Sequence, residues 1–424
     1  MFLKVKKSKV SGRVRIPGSK SHTIRALFIA SLADGTSQLL NPLVSNDALS
    51  AVEVCKALGA SIEVHEDKFV VQGFNGVPQV PQDVVDVGNS GTTMNFGIMT
   101  AALVNGYSVL TGDYQIRKRP VGPLVEALNN LGAEVISTRN DGCPPVIIKG
   151  KAKGGKTVLD AVTSQYLSSI LINAPLLEND THINLIRLYE APYVDMTMWW
   201  LDKQGIKYTN NDYKSFTVQG NQRYKPFNMA IPGDFSSATF FMVLAAISGE
   251  EFVLENLDMT DPQGDKLVVS ILESMGAKVT VKEGSIVIKG GTLTGREIDM
   301  NSIPDALPAM AVAGCFAQGE TRLVNVPQAR LKETDRIRVM FEELSKMGAD
   351  IEELPDGLVI QNSKLKGCAV NGHDDHRIVM SLAVAGLNIE GETIIDTAEA
   401  MKVTFPEFAD YISSCGGDIT LIED

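Results

Sequence analysis

The chain has little cysteine, no long apolar run and no excess of positive charge, and each shortage removes a class of protein. Its five cysteines, Cys55, Cys143, Cys315, Cys368 and Cys415, are odd in number and nowhere spaced as CxxC or CxxH. That pattern argues against a disulfide framework and against a zinc site, and it fits reduced thiols in the cytoplasm. The longest apolar run, near residues 238–247, is too short to cross a bilayer. The opening residues, MFLKVKKSKVSGRVRIPG, alternate and end in turn formers, without the apolar stretch of a secretory signal. Lysine and arginine number 39 against 51 aspartates and glutamates, a formal charge of −12. A field of that sign disfavours nucleic acid and anionic membrane. Small anionic substrates remain open to it, because a local cluster of cations outweighs a distant surplus.

What the chain does have is a repeat. KALGASIEV, NNLGAEVIS, DKQGIKYT, ESMGAKVTV, SKMGADIEE and SSCGGDITL share a helix end, a glycine and a strand. Their central glycines, Gly59, Gly132, Gly205, Gly276, Gly348 and Gly416, are 73, 73, 71, 72 and 68 residues apart. A period near ~70 is too long for short solenoid repeats and suits a βαβαββ unit. Single cores stop growing near ~250–300 residues, so six units imply two domains of three. The third copy is complete by Gly220, and the fourth lacks a leading strand of its own. A spare strand within residues 2–16 would supply one. The expected domains are therefore 1–18 with 232–424, and 19–231, hinged at 17–19 and 231–233.

Each unit carries two helices. The second of each pair is expected at 46–58, 121–131, 193–204, 262–275, 335–347 and 406–415, from apolar residues at three- and four-residue steps. Asp261-Pro262 reads as an N-cap with proline at the first helical position, and Pro120 in the same way opens the helix after Arg119. The first helices begin at PGSKSHTIRAL, GNSGTTMNF, VTSQYLSSI, PGDFSSATFF, IPDALPAM and HDDHRIVM. Gly, Ser, Thr, Asp or Pro stands at every one. Capping explains any single case. Six at matching phase also suggest helix N-termini facing an interdomain cleft, each with roughly half a positive charge and open N–H groups for anions.

Four stretches add charged side chains. Lys20, Ser21 and Arg25 lie within one helical turn or so, and a pair of cations with a hydroxyl binds carboxylate or phosphate. LKETDRIRV sets Glu333 between Lys332 and Arg336, and DYQIRKRPVG brings Arg117, Lys118 and Arg119. HDDHRIVM adds His376 and Arg377. Two other patterns carry less. GKAKGGKT at 150–157 matches the phosphate-loop formula, but that loop must run straight into a helix, and here a strand-like VLDAV follows. His373-Asp374-Asp375-His376 resembles a metal cluster without a matching partner set elsewhere, so no metal is expected.

PGSKSHTIR, GNSGTT, RPVG, SQYL, GDFSSA, KETDR and DDHR, in this order, resemble the 5-enolpyruvylshikimate-3-phosphate synthase family over essentially the whole length. The resemblance implies a two-domain inside-out α/β barrel of three βαβαββ units per domain. It implies transfer of the enolpyruvyl group of phosphoenolpyruvate to the 5-hydroxyl of shikimate 3-phosphate, with release of phosphate and without a cofactor, by a cytoplasmic monomer. Its motifs assign Lys20, Ser21, Arg25, Thr163, Ser164, Gln165, Tyr193, Asp305, Gln328 and Lys332 to shikimate 3-phosphate. Lys20, Gly91, Arg119, Gln165, Arg336, His376 and Arg377 fall to phosphoenolpyruvate. Asp305 matches the carboxylate that takes the hydroxyl proton, and Glu333 the acid–base group at the methylene carbon. Asn95 stands where the family usually has Arg, Val403 where many members have Lys, and Glu190 where Ser often meets the sugar-ring phosphate. The alternatives are UDP-N-acetylglucosamine enolpyruvyl transferase on the same fold, which has Lys-Asn for Lys20-Ser21, a nucleotide-dependent phosphotransferase resting on GKAKGGKT, and a non-catalytic binding protein.

Overall fold

The computed structural model describes residues 1–423. The second repeat shows how each stretch of about 70 residues folds. Strand Val85–Asp86 leads to helix Gly91–Ala101, strand Tyr107–Thr111, helix Gly122–Asn130 and the hairpin Glu134–Ser137/Val146–Lys149. Tyr107–Thr111 runs parallel to Val85–Asp86 and antiparallel to Val146–Lys149, which in turn pairs with Glu134–Ser137. The same four-strand order recurs in all six sheets. A parallel pair needs a crossover, and in the second, third, fifth and sixth repeats the first helix is that crossover.

Three strands come from elsewhere in the chain. The expected single spare strand is two strands serving two sheets. Gly12–Arg15 runs parallel to Glu251–Glu255 and heads the fourth sheet. Phe2–Lys6 lies between Glu392–Ile395 and Asp418–Ile422 and completes the sixth. Asn228–Ala230 runs parallel to Thr36–Leu40 and heads the first. The chain divides into two compact units, Met1–Ser19 with Pro232–Asp424 and Lys20–Ile231.

Each unit has its own apolar core. In the first, helices Phe235–Ser248, Leu307–Phe316 and His376–Gly386 pack on one another and are apolar nearly all round. A helix of that composition belongs in an interior. The second helices are one-sided: in Gly122–Asn130 only Leu124, Ala127 and Leu128 are buried. No helix among the described residues is long and apolar enough to cross a membrane.

The repeat glycines all have positive φ, from 69° at Gly205 to 123° at Gly276. They end their helices in a conformation that side chains resist. A Cβ at Gly276 would lie 2.4 Å from the carbonyl oxygen of Thr292, whereas one at Gly205 meets nothing within 4 Å. Gly205→Ala is therefore expected to cost about 1 kcal/mol, and Gly276→Ala clearly more. Urea melts of the two variants side by side check the order.

Two expected helix starts are displaced. Asp261 does not cap a helix at Pro262. Its Oδ1 accepts from the Gln263 N–H in a tight local turn, and a 3-10 turn at Gly264–Lys266 precedes helix Leu267–Met275. Pro120 lies before its helix, which starts at Gly122 with Pro123 in the first turn, and its carbonyl accepts from the Tyr166 hydroxyl.

Candidate active site

In the Lys20–Ile231 unit, three helix starts carry the expected side chains. Lys20 opens helix Lys20–Leu32, and its Nζ lies 3.1 Å from Asp47 Oδ2. Ser21 follows it, and its carbonyl accepts from Arg25 Nη1 at 3.0 Å. Arg25 is buried, not a solvated basic turn residue. It donates to Thr197 Oγ1 and to the Tyr193 carbonyl, both at 2.9 Å, and its guanidinium carbon sits 5.5 Å from the Phe96 ring centre. Burial lowers its pKa to about 10, with Tyr193 and Glu190 opposing, so it remains a cation at neutral pH.

Helix Gly91–Ala101 starts against Arg119. A Cβ on Gly91 would lie 2.4 Å from Arg119 Nη1 and 3.8 Å from Gln165 Oε1, so only glycine lets the guanidinium lie this close to the helix start. Asn95 Nδ2 donates to the Gly91 carbonyl at 2.9 Å and to Gln165 Oε1 at 2.8 Å. The amide thus ties two helix starts together. Lys118 lies over the Tyr114 ring instead, and Arg117 reaches the Gly112 carbonyl.

Helix Ser164–Asn173 is capped by Thr163, whose Oγ1 accepts from the Gln165 N–H. A third oxygen joins this helix start. Glu190 Oε2 lies 2.9 Å from Ser164 Oγ, 3.3 Å from the Ser164 nitrogen and 3.2 Å from Thr163 Oγ1. Glu190 is buried and left-handed, with φ 60°.

In the other unit, Arg336 gathers the site. This first residue of helix Arg336–Lys346 is buried and faces three carboxylates. Nε donates to Asp375 Oδ2 at 2.8 Å, Nη1 to Asp305 Oδ1 at 2.9 Å and Nη2 to Glu333 Oε2 at 2.5 Å. Arg377 Nη2 lies 3.1 Å from Asp305 Oδ2, and Lys332 Nζ 3.5 Å from Asp305 Oδ1. Burial alone would raise the Asp375 pKa, but the Arg336 charge outweighs it and the group sits below the ordinary aspartate range. Gln328 Nε2 donates to the Asn301 carbonyl at 3.0 Å, leaving its buried Oε1 without a hydrogen-bond partner.

His376 is buried, and neither ring nitrogen has a hydrogen-bond partner. Burial pushes its pKa down to about 3 against the pull of Asp375 and Glu333, so it is a neutral ring at pH 7. The His373–His376 run does not converge on one point. His373 Nε2 lies 2.8 Å from Glu343 Oε1, which also pairs with Lys346, while Asp375 faces Arg336. The GKAKGGKT segment enters strand Gly155–Ala161 and no helix. Val403 is buried and Lys402 exposed, so the neighbouring lysine does not fill the departure.

The sequence points to the cations and to Asp305 and Glu333, but not to three further acids beside them. Asp47, Asp375 and Asp265 were not assigned to the site. Asp265 receives a hydrogen bond from Ser236, and burial, with Asp305 next, raises its pKa to about 6. The usable signal was position: Asp47 lies in the first turn of helix Asn46–Ala57, and Asp375 caps helix His376–Gly386.

A family model described as EPSP synthase (3-phosphoshikimate 1-carboxyvinyltransferase) matches residues 5–412. The chain belongs to the EPSP synthase family. A 3-phosphoshikimate 1-carboxyvinyltransferase of Acetivibrio thermocellus is 71% identical over 423 residues, covering 100% of both chains. One from Methanocaldococcus jannaschii is 44% identical over 427 residues, with 99% of each covered. Among solved structures, an EPSP synthase from Acinetobacter baumannii superposes with a TM-score of 0.83 at 29% identity, covering 100% of both chains. The EPSP synthase relationship agrees with the two-domain α/β architecture.

Proposed function

We propose that this chain transfers the enolpyruvyl group of phosphoenolpyruvate to the 5-hydroxyl of shikimate 3-phosphate and releases phosphate. The observation that carries the reading is the Arg336 cluster, which holds two carboxylates of the family pattern, Asp305 and Glu333, on one guanidinium beside Lys332 and Arg377. Proton transfer at two centres needs two positioned acid–base groups, and anionic reactants need fixed cations around them.

Asp305 takes the proton from the 5-hydroxyl as its oxygen forms a bond to C2 of phosphoenolpyruvate. Glu333 delivers a proton to the methylene carbon, giving a methyl group. The same carboxylate then removes a methyl proton as the C2–O bond to phosphate breaks, which restores the double bond and expels phosphate. Arg25, Ser21, Thr163, Ser164, Tyr193, Gln328 and Lys332 are assigned to shikimate 3-phosphate. Gly91, Arg119, Arg336, His376 and Arg377 are assigned to phosphoenolpyruvate, with Lys20 and Gln165 shared. His376 serves as a neutral hydrogen-bonding ring and not as a cation. We assign the activity to a monomer in the cytoplasm.

Purified protein should release phosphate only when shikimate 3-phosphate and phosphoenolpyruvate are both supplied. Release with UDP-N-acetylglucosamine in place of shikimate 3-phosphate would move the chain to the neighbouring transferase class.

A further inference from the structure

We propose that Glu190 is a tethered stand-in for the substrate phosphate, and that shikimate 3-phosphate must displace its carboxylate in order to bind. The inference rests on the assignment of Thr163 and Ser164 to that phosphate. Those donors are already engaged. One carboxylate oxygen of Glu190 lies within 3.3 Å of the Ser164 hydroxyl, the Ser164 amide and the Thr163 hydroxyl. An amide at a helix start with two adjacent hydroxyls is the arrangement that holds a phosphate oxygen. Here it holds an oxygen of the chain's own.

Three observations show that the placement is built. The carboxylate is buried, so it is a committed partner of these donors and not a surface group resting nearby. Its backbone is left-handed at φ 60°, a conformation that costs a non-glycine residue energy and that directs the side chain at this spot just before helix Ala191–Lys203. The buried Arg25 guanidinium interacts electrostatically with it, so the carboxylate also balances a cation.

A phosphate dianion and a buried carboxylate cannot both occupy these donors, because like charges at that range repel strongly in a site shielded from water. Binding therefore has to move Glu190 off Ser164, and the free energy of that step is subtracted from the substrate's affinity. Serine at 190 would instead offer one more donor. The carboxylate stabilises the free protein and weakens capture of the phosphate-bearing substrate.

The test is calorimetric titration of the intact protein and of Glu190→Ser and Glu190→Gln with two ligands, shikimate 3-phosphate and shikimate. The Kd for shikimate 3-phosphate should fall by about tenfold or more in Glu190→Ser, and by less in Glu190→Gln, which keeps the bulk without the charge. The Kd for shikimate should move by less than about threefold, since it brings no phosphate to the site. Both variants should melt at lower temperature than the parent. Glu190→Gln is nearly isosteric and carries the test if Glu190→Ser does not fold. An unchanged or weakened Kd for shikimate 3-phosphate in the folded variants overturns the inference, as does an equal gain for both ligands. If the parent protein turns over the substrate pair, either result leaves the transferase reading standing. A parent that releases no phosphate from the pair sinks that reading and this inference together.

Discussion

Glu333→Gln should lower turnover of the substrate pair by about 10²–10⁴-fold while moving either KM by less than about fivefold. The substitution is narrow by design. Glutamine keeps an oxygen that can accept from Arg336 Nη2, so the bond that positions the side chain at 2.5 Å has a counterpart in the variant. What it loses is the proton. In the proposed sequence this group acts twice, first giving a proton to the methylene carbon and then taking one from the methyl group, so both halves of the reaction slow. Binding should change little, because the proposed assignment gives substrate charge to Lys332, Arg336 and Arg377 and not to this carboxylate. Steady-state kinetics with both substrates, and a single-turnover measurement of phosphate release, separate the two effects. Turnover within fivefold of the parent would remove Glu333 from the chemistry.

The periodic features of this chain were legible because each glycine has a local physical reason. A residue with positive φ at the end of a helix needs no side chain, and six such residues about 70 positions apart announce six equivalent units. Strand exchange was legible only in part. The spare N-terminal segment was recognised, but the break at residues 7–11 that splits it between two sheets depends on pairing with Glu251–Glu255 and Glu392–Ile395, far along the chain. The helix at Asp261-Pro262 failed for a local reason: aspartate can bond a nearby backbone N–H outside a helix as readily as at its start, and here it does.

Among the candidate residues, the sequence displayed the cations, Glu333 beside them and, through the family resemblance, Asp305, but it concealed Asp47 and Asp375. Lys20 pairs with Asp47, and Arg336 with Asp305, Glu333 and Asp375. These partners lie 27, 31, 3 and 39 residues away, and only the shortest of those spacings is visible to local pattern reading. The six helix starts were read as open to anions. Asp234 caps helix Phe235–Ser248, Asp375 caps His376–Gly386, and Glu190 sits on Ser164–Asn173. Three of the six thus already hold a carboxylate of the chain. An exposed helix start and one filled by a distant glutamate have the same sequence, so the distinction required the fold.

Arg336→Ala should be the most damaging single change in the molecule, and its damage should depend on pH. At pH 7 the variant leaves the buried Asp375 without its main counter-ion and takes one cation each from Asp305 and Glu333. Breaking a buried pair from one side costs about 3–5 kcal/mol. The activity loss should reach about 10³-fold or more in kcat/KM, since the same guanidinium is assigned to phosphoenolpyruvate and orients both acid–base carboxylates. The sign of the pH effect follows from Asp375. In the parent its pKa is depressed despite burial, so its stabilising contribution is present above the unfolded aspartate pKa of about 3.9 and is lost as pH falls through the folded value. Without Arg336 the main opposition to burial and Glu333 is gone, leaving His376 and the hydrogen bonds from Thr334 and the Arg377 amide, so the folded pKa is expected to rise above the unfolded one and protonation relieves the variant as pH drops. The stability gap between parent and variant should therefore be widest near neutrality and narrow toward pH 4.5. Arg336→Lys should fall between them, because an ammonium cannot present the flat fork that reaches three carboxylates at once. Urea melts at pH 7.5 and 4.5 measure the gap directly. A gap under about 1 kcal/mol at pH 7.5, or one that does not change with pH, would mean that the three carboxylates do not depend on this guanidinium for their charge.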